Sequence, residues 1–537
     1  MNLLTSNSKL SNPLTHTSFP LVIAGIIIAL SMLVPLAYLV ARASDAGPRI
    51  TNILISSRTL EVFANSTVLV LVVTALSAVI AVIAAFLTVK TDLPGKKFWS
   101  VILTLPLAVP SFVGSFALIA TFAPKGSALQ NLLAPLGIDV LPPIYGWPGV
   151  ILALTLFSYP YVFLTTRSSL RGMDPAIEEV SRSLGYNIRS TLRHVTLPHL
   201  YPSIAAGSLL VAFYALSDFG TPGLMRFDSF TRMIYVEYQL GFDRSSAAVL
   251  SLLLVTLVAV ILFFEHRVRS KASYYSLGPG TKRQPVLLKL GRWKGVALVF
   301  CGVIATLALF IPIGVMFYWF FQGVAVGESY PNMGIITFNT VYVAALATLV
   351  IVAFALPMAL LVVRFPRKST SVLERISYIG FAMPGIVVAL SLVSFGANHL
   401  PMFYQSMGML VFAYMVLFIP LSIGAIRSSL LQINPRVEEA ARSLGLGQGR
   451  TLLTVTIPMA KTGLLAGAAL VILTIMKELP STLLLSPIGF KTLATQVWTG
   501  AESASFPYAA ASALVLVAIS AISVTIILSQ ERNASRR

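Results

Sequence analysis

Three groups of residues in this chain have types and spacings that could do chemistry. The first is SLGLGQGRT, residues 443–451, where Gly445, Gly447 and Gly449 alternate before Arg450 and Thr451. Glycines followed by a basic and a hydroxyl residue are what a loop needs to wrap a phosphate with its backbone N–H groups. The second is a pair of adjacent carboxylates, Glu438-Glu439, with another pair at Glu178-Glu179. The third is Asp218, Lys477 and Glu478, ionisable residues next to long apolar runs. Charges at such positions mark either a solute path or the ends of interrupted helices.

The elements that carry these residues follow from composition. Of 537 residues, 56% are hydrophobic and 11% charged, and mean hydropathy is +0.85. Soluble domains carry about 25% charged residues, so most of this chain must face lipid. The net charge of +19 is scattered between apolar runs, which speaks for membrane orientation and against nucleic-acid binding. The lone Cys301 excludes an intramolecular disulfide. No His/Cys/Asp/Glu group has metal-ligand spacing and no nucleophile–base pair emerges, so neither a metal site nor a catalytic residue is expected. His194, His199 and His399 read as solvated or capping residues.

Apolar stretches of about 20 residues are long enough to cross a bilayer as helices. They fall at 19–41, 66–89, 100–122, 147–166, 203–218 and 244–264, then at 296–321, 340–363, 376–399, 407–426, 463–484 and 508–529. Ala41-Arg42-Ala43 resembles a signal-peptidase site. The length of the first stretch and its single upstream cation, Lys9, favour a retained span. With both termini in the cytoplasm, 29 of the 38 Lys and Arg residues fall on the inner side and nine outside. That bias fixes the expected orientation.

Sliding the chain by 260 residues superimposes two inner connections, 167–207 and 427–467, with 18 of 41 positions identical. Six spans per copy return the chain to the same side, so the expectation is an all-α membrane protein of about twelve helices in two parallel six-helix repeats. The halves are 1–264, with its loop at 167–202, and 296–537, with its loop at 427–462. A basic cytoplasmic linker, 265–295, carries the turn-forming SLGPGTK at 276–282.

The repeat decides the phosphate question. SLGLGQGRT aligns with SLGYNIRST, so Gly447 and Gly449 become Asn187 and Arg189. The spacing also misses G-x-x-x-x-G-K-[ST], and no strand precedes it. A turn between two helices is the expected structure, and no ATPase site is visible. Each copy instead reads as a short amphipathic helix. Asp174 or Asn434 caps it, Pro175 or Pro435 follows, and the glutamate pair favours the positive end of the helix dipole. Ile177, Val180 and Leu184, matched by Val437, Ala440 and Leu444, form one apolar stripe. Gly185 or Gly445 ends the helix, and a second short helix runs toward Pro198 or Pro458. Paired glutamates and small residues suit docking in a protein groove better than on a lipid surface. Packing beneath the chain's own bundle is the plain structural alternative.

E-E-x-x-x-S-L-G followed by L-P or I-P resembles the EAA loop of ABC importer permeases, with one loop per half. The resemblance implies a type I permease fold. It also implies that each loop inserts into a cleft on an ATP-binding subunit and passes its closure to the membrane helices. The residues it designates are Glu178, Glu179, Ser183, Leu184, Gly185 and Pro198, and Glu438, Glu439, Ser443, Leu444, Gly445 and Pro458. Copy one departs from the pattern, with Val180-Ser181 where copy two has Ala440-Ala441. The implied partners are two copies of an ABC ATPase, which would use ATP and magnesium while this chain binds no cofactor. An extracytoplasmic solute-binding protein and the lipid of a bacterial inner membrane complete the set.

In the aligned halves Asp218 stands opposite Glu478, with Lys477 beside the latter. These residues either flank a translocation path or cap helices broken near Gly220, Pro222 and Pro480. The stretch MKELPSTLLLSPIGFKTLATQVW (476–498) resembles fused ferric-iron importer permeases; fused thiamine permeases, and putative phosphonate ones, share the layout. A secondary transporter is the rival of another class. It would be expected to carry ionisable residues in several spans.

Overall fold

The computed structural model describes residues 19–240, 244–271, 287–330 and 332–534. Lys9, the SLGPGTK turn and Arg536-Arg537 lie outside the described residues. Among the described residues the chain is helical, with a single parallel bridge between Thr91 and Leu288 as its one extended pairing. In hydrocarbon every backbone N–H and C=O must find an internal partner, which is why the apolar runs become helices.

Eight helices are long and apolar enough to cross a membrane, and eleven if three bent pairs are counted as spans. The helix Phe506–Ala534 brings the total to the expected twelve. Three expected spans are not straight, however. Span three bends by 97° between Lys96–Ala108 and Ser111–Phe122, and span nine by 99° between Lys368–Ala382 and Gly385–His399. Both breaks have one cause. Val109 and Met383 precede Pro110 and Pro384 and hold extended backbone, with ψ of 119° and 124°. The proline ring excludes the helical conformation from the residue before it.

Span eleven also departs from expectation. The predicted stretch 463–484 ends as a helix at Met476, and a separate helix, Pro480–Leu485, follows. On its inner side the chain bends by 67° at Ala460, whereas the matching segment Leu192–Ser217 of half one runs as one helix. The short helix expected before Pro198 is therefore the inner end of span five. In both copies it passes through one wide π-type turn, Leu192–Thr196 and Leu452–Thr456. A proline just beyond, with no N–H to give, accounts for the skipped hydrogen bond.

Within each half, spans two, four and five form the core, as do eight, ten and eleven. Gly207 lets span five approach span four so closely that a Cβ would sit 2.7 Å from Val162 Cα. Small residues at such crossings replace a hydrophobic driving force that lipid cannot supply. The first span of each half packs on the other half. Phe19–Ser44 lies against spans eight and nine, where the Ser391 hydroxyl donates to the Pro35 carbonyl at 2.7 Å. Likewise the end of span seven packs on span three, and the Trp319 indole donates to the Ala120 carbonyl at 3.3 Å. Each first span also packs on the last span of its own half and so bridges the two halves.

Candidate functional site

The two short helices are Pro175–Ser183 and Pro435–Ser443. Each begins as its sequence requires. The Asp174 carboxylate accepts the Ala176 N–H at 2.9 Å, and the Asn434 amide oxygen accepts the Arg436 N–H at 3.0 Å. Each also ends alike. Gly185 and Gly445 both have φ of +90°, the left-handed region where glycine alone is unstrained. The following N–H groups, of Tyr186 and Leu446, reach back to the Ser181 and Ala441 carbonyls at 3.2 Å. That pairing closes the helix C-terminus.

Gly447 and Gly449 do none of this. Gly447 has an ordinary φ of −62° and caps a helical turn, and nothing lies within 4 Å of a Cβ built at either position. The Thr451 hydroxyl donates to the Gly447 carbonyl at 3.2 Å. SLGLGQGRT is a helix end, a turn and a helix start.

The glutamate pair splits into two jobs. Glu178 and Glu438 turn back into the bundle, while Glu179 and Glu439 are exposed. Lys90, the last residue of span two, donates to Glu178 Oε2 at 2.9 Å, and the Thr196 hydroxyl donates to Oε1 at 2.9 Å. Arg364, the last residue of span eight, donates through Nε to Glu438 Oε1 at 2.9 Å. Thr456 donates to the same oxygen at 3.0 Å. Each latch therefore ties the short helix to the inner ends of two membrane helices. Only 4% of Glu438 and 2% of Lys90 is exposed. A buried pair of this kind is strongly destabilised when one partner is removed, by about 3–5 kcal/mol.

The cation partners were missing from the sequence reading. Lys90 and Arg364 stand 274 residues apart, the offset at which FANST (63–67) meets FNT (338–340), and that offset was the available signal.

The apolar stripes face outward. Ile177, Val180 and Leu184 are exposed, as are Val437, Ala440 and Leu444, with Leu184 at 72% and Leu444 at 86%. Ser183 and Ser443 are exposed too, and their hydroxyls donate to the Val180 and Glu439 carbonyls at 2.8 and 3.0 Å. Pro198 and Pro458 are exposed at the wide turns. The stripes lie on one side of the membrane. From Lys90 to Arg364 one counts an even number of crossings, and Leu288, just before span seven, bonds back to Lys90. Two apolar faces without a partner in the fold have the form that helix-in-groove docking needs.

Asp218 and Glu478 cap helices. Asp218 Oδ2 accepts the Thr221 N–H at 3.0 Å, and Oδ1 accepts the Ser111 hydroxyl at 2.7 Å. Glu478 Oε1 accepts the Ser481 N–H at 3.2 Å and its hydroxyl at 3.0 Å. Each carboxylate also abuts the start of a half-helix beyond a 97° or 99° break. Ser111 opens one, and Gly385 opens the other, where a Cβ would lie 2.5 Å from Glu478 Oε1. Half-helix starts carry partial positive charge, which favours carboxylates there. Lys477 points elsewhere, donating to the Leu107 carbonyl of half one at 2.7 Å. Both carboxylates thus bond the starts of the helices that follow them. Among the described residues no group of three or more His, Cys, Asp or Glu could hold a metal.

Comparison with known proteins bears on the same regions. Residues 77–273 and 351–537 each match the model of the binding-protein-dependent transport system inner membrane component family. The two matches omit these bridging first spans. An Fe(3+)-transport system permease protein of Haemophilus influenzae is 32% identical over 506 residues, 93% of this chain and 96% of its own length. A ferric transport system permease protein of Actinobacillus pleuropneumoniae is 25% identical over 386 residues, covering 67% of this chain and 55% of its own. The molybdenum transport system permease protein of Escherichia coli is 28% identical over 186 residues, 33% of this chain but 79% of its own length.

Proposed function

This chain belongs to the binding-protein-dependent transport system inner membrane component family, the permeases of ABC importers, and we propose that it forms the whole translocation unit of an importer for ferric iron. The family sets aside the ion-driven secondary transporter. In this reading two copies of a separate ATPase dock beneath the chain, one on each exposed stripe, and supply ATP and magnesium. The chain itself brings no nucleotide site and no cofactor. A solute-binding protein delivers iron at the opposite face, and both termini lie in the cytoplasm of a bacterial cell.

The observation that carries the proposal is the pair of outward apolar stripes, each latched to the inner ends of two membrane helices. A pull on the stripe at Leu184 passes through Glu178 to Lys90 in span two and to Thr196 in span five. The same path on the other side runs from Leu444 through Glu438 to Arg364 and Thr456. Glu179 and Glu439, exposed beside the stripes, are the docking carboxylates of this scheme. Asp218 and Glu478 hold the half-helix starts at Ser111 and Gly385, and in this scheme set the shape of the solute path without themselves being ligands. The ferric cargo is inferred from the near full-length similarity to a permease named for Fe(3+).

The test is reconstitution of the chain in vesicles with its ATPase and binding protein. Iron-loaded binding protein is expected to stimulate ATP hydrolysis and iron uptake, and Glu179→Lys with Glu439→Lys to abolish both. Iron uptake that proceeds without any ATPase would overturn the scheme. Stimulation by another loaded solute, but not by iron, would leave the docking and refute the cargo.

A further inference from the structure

At the inner end of span two the chain makes an unusual junction. Leu288 donates its N–H to the Lys90 carbonyl at 2.8 Å and accepts the Asp92 N–H at 3.1 Å. Asp92 in turn accepts the Leu290 N–H at 2.8 Å, and Lys294 Nζ lies 2.9 Å from its other oxygen. The end of the linker is thereby pinned to half one, where span two ends and span seven begins. The Leu290 N–H and the Lys294 ammonium hold the Asp92 carboxyl below its usual range.

The junction is crowded with positive charge. Residues 90–97 and 287–294 contain six cations and one carboxylate, Asp92. Lys90 is engaged by Glu178 and Lys294 by Asp92. Lys96, Lys97, Lys289 and Arg292 have no carboxylate partner among the described residues. Two large aromatic side chains are exposed at these segments, Phe98 just after the first at 55% and Trp293 in the second at 61%. Aromatic rings beside cations at a span end are the signature of the headgroup layer.

We propose that this junction is a binding site for an anionic phospholipid headgroup of the cytoplasmic leaflet. The phosphodiester would lie among Lys96, Lys97, Lys289 and Arg292, and the acyl chains would run past Phe98 and Trp293. Clusters of basic residues at the inner end of a span bind acidic headgroups, and the aromatic flank selects a lipid over a free phosphate. The matching turn of half two carries Arg367 and Lys368, with no extended bridge to it among the described residues, so the site belongs to half one. A headgroup that bridges the two segments braces the backbone of Lys90, the residue that holds Glu178.

The test is native mass spectrometry of the full-length chain in neutral detergent, titrated with phosphatidylglycerol, cardiolipin or phosphatidylcholine. The wild type is expected to retain the anionic lipids over phosphatidylcholine by at least about tenfold, given four unpaired cations. Lys96→Gln, Lys97→Gln, Lys289→Gln and Arg292→Gln together should erase that preference, while Lys125→Gln, far along the chain from the junction, leaves it intact. If the fourfold variant does not fold, the surface pair Lys289→Gln with Arg292→Gln carries the same expectation. A brominated phosphatidylglycerol should quench fluorescence in the wild type more than in Trp293→Phe. Equal retention of neutral and anionic lipid, or an unchanged preference in the variants, overturns the site. Displacement of the lipid by millimolar inorganic phosphate overturns its assignment to a lipid.

Discussion

The two repeated connections present matching outer faces with different chemistry on their hidden sides. Outward, they match: the same stripe spacing, exposed glutamates at 179 and 439, and glycines with the same φ. Inward, half one uses a lysine whose partner Glu178 gives one oxygen to each donor, and 13% of the Glu178 side chain remains exposed. Half two uses an arginine, and a single oxygen of Glu438 receives both Arg364 and Thr456, with 5% of the glutamate side chain exposed. Half two adds a further ion pair, Arg427 to Glu374 at 2.8 Å. Ser100 is the residue of half one in place of Glu374 at the span-two offset, and the backbone pairing of Leu288 with Lys90 and Asp92 braces that half instead. In the proposed scheme, a surface that meets two copies of one partner has to stay the same twice. An internal anchor has only to hold.

The largest expected difference between the halves follows from the latches. Arg364→Ala strands Glu438 almost without water and should cost about 3–5 kcal/mol of local stability, the range for one removed partner of a buried pair. Lys90→Ala should cost less, because the wetter Glu178 keeps some solvation. Hydrogen exchange of residues 435–443 and 175–183 reads the two effects separately. Equal protection losses would show that the extra burial in half two contributes nothing.

Next come the glycine ends. Gly185→Ala and Gly445→Ala should each cost about 1–2 kcal/mol, the steric penalty of a Cβ in left-handed backbone. Nothing lies within 4 Å of either Cβ position, so the two costs should be equal. Thermal unfolding of each single variant checks this, and a large inequality would break the claimed identity of the outward sides. The smallest effect belongs to the caps. Asp174→Ala and Asn434→Ala should each cost about 1 kcal/mol. The Asp174 loss should shrink further in high salt, because only that cap carries charge to the positive helix end. A salt-independent difference would contradict that cause.

Much of this fold was legible in the residues. The apolar runs, the inner bias of Lys and Arg, and the 260-residue repeat together required a two-part helical membrane protein. The caps and glycine ends of the short helices were legible for the same reason: their chemistry is local. The breaks at Pro110 and Pro384 were available in principle, since each proline sits inside an apolar run of spanning length, but hydropathy alone reads through them. The latch contacts and the neighbours of the first spans were not legible; the 274-residue offset marks Lys90 and Arg364 as counterparts but not what they bind. Lys90 and Glu178 are 88 residues apart in sequence, and an ion pair leaves no periodic trace. Nor does apolar patterning record which neighbour a lipid-long helix chooses, because both faces are greasy.

The central claim is that Leu184 and Leu444 each centre a docking face for one ATPase copy. It is tested most directly by the mass of the detergent-purified complex with saturating ATPase. The wild type is predicted to carry two copies, Leu184→Asp or Leu444→Asp one, and the double variant none. A centred apolar anchor of this kind is worth about 2–4 kcal/mol in association. Two copies retained by the double variant, or a single copy on the wild type, would contradict the account.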